Sequence, residues 1–239
     1  MRYFQGFVVP VKHADRDAYI AAAAKAAPAF AEYGAIRHVE CWGDDVMNGT
    51  RTDFRKAVNA ADDENVVFSW IEWPDRATCD KATESIMNDK RMEPDGPIPF
   101  DMQRMIYAGY DVDYDSGGER PFGYVDGIVA SVPDGERGAF IDSARAIGAI
   151  FQEHGATRAV DGWGADVPDG KVTDFRRAVQ APAGETVVFG WIEWPDKATR
   201  DAGMAALMQD GRMRDNPPPW NGQLAIFGGF APIFDTRRA

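Results

Sequence analysis

The chain has 239 residues, 45% of them hydrophobic and 27% charged, with a formal net charge of −12. That length holds one large domain or two ordinary ones, with a sizeable core. The acidic balance, uninterrupted by any basic block, argues against a nucleic acid or an anionic membrane surface as partner.

The opening "MRYFQGFVVPV" holds only a short apolar run, and no stretch is long enough to cross a bilayer. Two cysteines, Cys41 and Cys79, make no disulfide framework. A cytoplasmic location is therefore expected. "GFVVPV" (6–11) predicts a first strand. An amphipathic segment follows over 15–33, where Tyr19, Ile20, Ala23, Ala27 and Phe30 recur at helical spacing. Pro28 predicts a kink or break in that helix, and Gly34 a stop. A strand over 35–42 leads into a polar excursion, 43–63, that carries "DFRKAV". "VVFSWIEWPD" (66–75) reads as a third strand ended by Pro74, with Asp75 as N-cap of a helix running to about residue 89. A fourth strand is expected over 104–112.

Sliding the chain by 121 residues superposes it on itself. Between residues 33 and 92, 33 of 60 aligned positions are identical, and "VVFSWIEWPD" returns as "VVFGWIEWPD" at 187–196. Toward the end the offset becomes 120, so "PFDMQRMIYAGY" (99–110) meets "PWNGQLAIFGGF" (219–230). This is a tandem duplication, with repeats expected at 1–115 and 120–239 and a short linker within "DYDSGGERP" (113–121). Each repeat reads βαββαβ, the ferredoxin-like order, in which two helices cover one face of an antiparallel sheet. The other face is apolar and needs a cover. The expected fold is α+β, with the two ferredoxin-like units packed sheet to sheet as an intrachain barrel.

The strings "GFVVPV", "DFRKAV", "VVFSWI", "DKRM" and "PFDMQRMIYAGY" resemble the DUF1428 (YbaA-like) family, once per copy and over essentially the whole chain. The resemblance implies the dimeric α+β barrel superfamily, whose members include cofactor-independent monooxygenases and haem-degrading enzymes. Fold does not carry function with it. In several relatives of that superfamily a histidine near the start of the second helix contributes to catalysis. Here the comparable stretches, "RATCD" and "KATRD", have none.

Chemistry-bearing residues are few. On an alternating strand Phe68, Trp70 and Glu72 share one face and Val67, Ile71 and Trp73 the other. Glu72, lodged between two tryptophans, is the best candidate for a general base, against the reading of a strand-end glutamate paired with an arginine. Trp42 and Trp70 offer walls for a planar apolar ligand, or serve only as core. Arg55, Asp101 and Arg104 supply polar contacts, and the second copy has Asn221 and Leu224 in place of Asp101 and Arg104. The expected ligand site is therefore Trp42, Arg55, Trp70, Glu72, Asp101 and Arg104, in a pocket between sheet and helices that the first half keeps. His13, His38 and His154 have no histidine counterparts; His38 and Glu40 share a strand face, but two such groups make no metal site. No metal, phosphate loop or cofactor is implied. Two functions stand: a small-molecule-binding protein or cofactor-independent enzyme, and a non-catalytic structural or interaction module. The chain is expected to act as a monomer with an internal pseudo-dimer or to pair as a homodimer.

Overall fold

The structure is a computed structural model that describes residues 1–94, 96–118 and 120–237. The first half contains β1 (Tyr3–Lys12), α1 (Arg16–Glu32), β2 (Arg37–Asp45), α2 (Phe54–Ala57), β3 (Glu64–Trp73), α3 (Arg76–Ile86) and β4 (Ile106–Asp115). The second repeats it as β5 (Tyr124–Pro133), α4 (Arg137–Glu153), β6 (Arg158–Asp166), α5 (Phe175–Ala178), β7 (Glu185–Trp194), α6 (Lys197–Leu207), α7 (Gly211–Asp215) and β8 (Ile226–Asp235).

Local rules account for the boundaries. Asp75 and its counterpart Asp196 cap α3 and α6, their carboxylates accepting the backbone N–H groups of Thr78 and Thr199. Gly34 and Gly155, at φ of 99° and 103°, turn the chain out of α1 and α4 where a side chain would be strained. Pro28 does not break α1, which runs unbroken through it. Lacking an N–H, Pro28 forgoes the bond to the carbonyl of Ala24, one lost bond in a helix of 17 residues.

The strands do not form two separate sheets laid face to face. They close into one barrel in the order β1-β3-β2-β8-β5-β7-β6-β4. The edge strands β2 and β4 of the first half pair antiparallel with β8 and β6 of the second, each seam carrying register shifts. Closure satisfies backbone groups that open edges would leave unpaired.

The interior is packed with aromatic rings that meet their own counterparts. Phe68 stacks on Phe189 with centroids 4.5 Å apart, and Trp70 on Trp191 at 4.5 Å. Gly6 and Gly127 make room for this. A Cβ on either would sit 2.8 Å from the ring of Phe189 or Phe68, which reach in from the opposite half. Each stacked pair contributes about 1 kcal/mol beyond its buried area. Phe54 and Phe175, from the "TDFR" stretches, plug the barrel from α2 and α5. The longer helices lie outside it. No helix among the described residues is long and apolar enough to cross a membrane.

Candidate functional site

Of the residues expected to form one site, the structure brings together three around Glu64. Arg104 grips that carboxylate with both Nη atoms at 2.7 Å and holds Asp101 through Nε at 2.7 Å. Arg55 bonds the backbone oxygens of Glu64 and Ala61. These contacts pin the segment before β4 to the start of β3. Trp42 lies apart, on the outer face, half-buried beneath Arg16 and against His13. Trp70 and Glu72 point the other way, into the barrel.

Glu72 belongs to an ionic network at one end of the barrel, built from equivalent residues of both repeats. Arg158 holds it bidentately, Nη1 to Oε1 and Nη2 to Oε2, both at 2.9 Å. Arg2 adds a bond of 2.8 Å to Oε2, and Trp70 Nε1 one of 3.3 Å to Oε1. Arg158 also clasps Asp115, while its counterpart Arg37 clasps Asp235, the counterpart of Asp115, and reaches Glu193 at 2.9 Å. Both arginines and both glutamates are at most 3% exposed. Burial works to raise the pKa of Glu72, but the bonds and charge of Arg158 override it and hold the carboxyl below its ordinary range. Both oxygens are engaged, so Glu72 is an ion-paired carboxylate and not a poised proton acceptor. Glu193 differs. Gly123 stands where the first half has Arg2, burial dominates, and the Glu193 pKa rises; its Oε2 has no hydrogen-bond partner.

A deeper, more enclosed cavity lies elsewhere, on the outer face of the first half. About 580 Å³ is left between α1, the sheet formed by β1, β3 and β2, and a strap formed by residues 91–94 and 96–105. The helix contributes Tyr19, Ala22, Ala23 and Ala26, which share one face at i, i+3, i+4 and i+7. Short alanine side chains hold the space open. The strands contribute their outward residues Phe7, Val9, Ser69 and Ile71, and the strap adds Met92, Pro97, Ile98, Phe100 and Met105. Lys25 Nζ bonds the backbone oxygen of Glu93 at 2.8 Å and ties the strap to the helix.

One polar cluster breaks this apolar wall. His38 and Glu40 alternate outward from β2, whereas Arg37, Val39 and Cys41 face in. His38 Nε2 lies 2.7 Å from Glu40 Oε1, and the Tyr19 hydroxyl donates to Glu40 Oε2 at 2.7 Å. Burial first, then the Glu40 carboxylate, push the Tyr19 phenol well above its ordinary pKa, so it keeps its proton. His38 Nδ1 is buried without a partner. Sequence reasoning set His38 and Glu40 on one face but missed Tyr19, which arrives from a helix. Reading the repeats side by side exposes a signal. Phe140, Ser143, Ile147, Ala159, Asp161 and Gly190 occupy the places of Tyr19, Ala22, Ala26, His38, Glu40 and Ser69. Phe140 packs on Trp163 and Trp220 at 5.8 and 6.2 Å, and Ile147 packs into the cluster around Phe151 and Trp194. Among the described residues no group of three or more His, Cys, Asp and Glu side chains is placed to hold a metal ion.

A closed eight-stranded barrel with helices outside, made from two copies of one unit, is a dimeric α+β barrel in which both partners sit on one chain. A solved structure of an anthrone oxidase-like protein matches that fold, with a TM-score of 0.56 and 12% identity over 98% of this chain and 92% of that one. The chain belongs to the family described as "Protein of unknown function (DUF1428)", whose pattern matches residues 2–102 and again 123–222. The duplication is thus a duplication of that unit. It is 53% identical over 112 residues, 46% of this chain, to "Uncharacterized protein YbaA" of Escherichia coli K12, covering 96% of that protein; the Shigella flexneri protein of the same name matches equally.

Proposed function

We propose that the protein binds a small apolar molecule in the cavity between α1, the outer face of β1, β3 and β2, and the strap. The observation that carries this is a cavity of about 580 Å³ with a largely apolar wall, a linked set of polar side chains, Tyr19, Glu40 and His38, at its floor, and Lys25, Arg91 and Glu93 at its rim. Ligand sites have that build: apolar surface for affinity and a few convergent polar groups for orientation. On this reading each repeat, 1–115 and 120–239, is one ferredoxin-like unit, and only the first keeps a site. Asp101, Arg104 and Arg55 serve it from outside by anchoring the strap on Glu64. Trp42 backs the apolar cluster of Val9, Val11 and Tyr19. Trp70 and Glu72 have a structural role in the barrel.

The test is the stoichiometry of binding. A neutral two-ring aromatic probe, titrated by calorimetry, is expected to bind once per chain although the chain holds two repeats. Ala22→Phe, which pushes a ring into the space, is expected to abolish binding with the fold intact by circular dichroism. Two equivalents per chain, or unchanged binding by the Ala22→Phe variant, sinks the reading.

A further inference from the structure

Hydrogen-bond polarity at the cavity floor narrows the ligand further. Tyr19 donates to Glu40 Oε2. An ionised carboxylate only accepts, so the His38 nitrogen facing Glu40 Oε1 carries the proton. The other ring nitrogen is Nδ1. That atom is buried, has no partner, and belongs to a residue that lines the cavity and is 4% exposed. Both contacts therefore bring a proton to Glu40. Nδ1 is closed off from the cavity, so what the cluster has left to offer a ligand there is the remaining lone pairs of the Glu40 carboxylate. A ligand that brings another acceptor meets an uncompensated desolvation cost, and an anion also meets the charge of Glu40. The rim carries Lys25, Arg91 and Glu93, of both signs, so it is the apolar wall that disfavours a charged ligand.

We propose that the ligand is a neutral, largely apolar alcohol or phenol whose hydroxyl donates into the Tyr19–Glu40–His38 cluster. The proposal rests on the cavity being the binding site and adds the polarity of what it takes. Recognition of this kind discriminates strongly, because a buried acceptor left unpaired costs more than an added apolar contact returns.

Four naphthalene-based probes of similar size separate the outcomes: naphthalene, 2-naphthol, 2-acetonaphthone, which only accepts, and 2-naphthoate, an anion. Calorimetry with the full chain is expected to give 2-naphthol an affinity at least about tenfold above each of the others, the effect of one good buried hydrogen bond. Naphthalene is expected to bind weakly at the same site and to be lost in Ala22→Phe. Equal or tighter binding of the ketone or the carboxylate overturns the hydroxyl proposal while leaving the cavity reading in place. No binding of any probe takes both down. A second variant reads the polarity itself. Glu40→Gln brings an amide N–H₂ to the floor, so the ratio of 2-naphthol to 2-acetonaphthone affinity is expected to fall at least fivefold with naphthalene binding retained. An unchanged ratio counts against the proposal.

Discussion

On the outer face of the barrel, Tyr19, Ala22 and Ala26 of α1 stand where α4 carries Phe140, Ser143 and Ile147. On the inner face, Phe68, Trp70 and Glu72 of β3 stand where β7 repeats Phe189, Trp191 and Glu193 unchanged. The two faces answer to different constraints. The stacked inner rings pack against their own counterparts, as Trp70 does on Trp191 and Phe68 on Phe189, so a change in one copy strands the other. An outer residue meets chiefly the helix and strap of its own repeat, with cross-repeat contacts such as His38 on Phe234 confined to the seams. Divergence is cheap there, and one copy keeps an alanine-lined space while the other fills it with Phe140, Ile147 and Trp220.

The largest expected effect breaks the inner symmetry. Arg158→Met removes the partner shared by Glu72 and Asp115 and leaves both charges buried, so it should cost about 4 kcal/mol in urea unfolding. Adding Glu72→Leu should recover at least half of that loss, since the stranded charge goes too. Full additivity of the two losses would contradict the network.

The next pair exchanges the outer faces. Ala26→Ile gives α1 the residue of α4 and should weaken ligand binding at least tenfold at little cost in stability. The reverse change, Ile147→Ala, should destabilise by about 2 kcal/mol through the void it leaves. Smaller again is Arg104→Leu, which takes the side chain of the second copy. It leaves Glu64 without its bidentate partner and should cost about 1 kcal/mol. It should also speed ligand dissociation severalfold by loosening the strap, readable by stopped-flow fluorescence.

The smallest effect is a pH difference between counterparts. Asp161 stands where the first half has Glu40; burial, then the charge of Asp113, push it up to about 7. A carboxyl whose folded pKa is raised favours the fold fully below its unfolded value of 3.8 and loses that contribution as pH rises through about 7. Asp161→Asn should therefore raise Tm more at pH 8 than at pH 5. Glu72 runs the opposite way. With its folded pKa lowered, its contribution is present above the unfolded value of 4.5 and lost as pH falls through the lower folded one, so Glu72→Gln should cost more at pH 7 than at pH 3.

Much of the architecture was legible in the chain. The 121-residue offset revealed the duplication, and strand alternation put Phe68, Trp70 and Glu72 on one face. The Pro-Asp pairs marked the starts of α3 and α6 through a cap that is local in sequence. The barrel was expected from the duplication, but its seams were not legible, because the β2–β8 and β4–β6 pairings depend on how both copies assemble. An arginine-paired Glu72 was one of the readings the strand allowed, but which arginine pairs with it was hidden for the same reason. Its partner Arg158 is 86 positions away, in the other repeat. At the cavity, the period of two gave His38 and Glu40 a common face, but the third member, Tyr19, depends on how α1 docks. The alanine run of α1 reads as helix propensity in isolation. It reads as space only against the bulkier α4.

The central claim is that one repeat of this pseudo-symmetric barrel binds a ligand and the other does not. A crystal structure of the full chain with 2-naphthol tests it most directly. The account predicts one molecule, between α1 and β2, with its hydroxyl at the Tyr19–Glu40–His38 cluster. Ligand at the matching place beside Phe140 and Asp161, or in both halves, would contradict it.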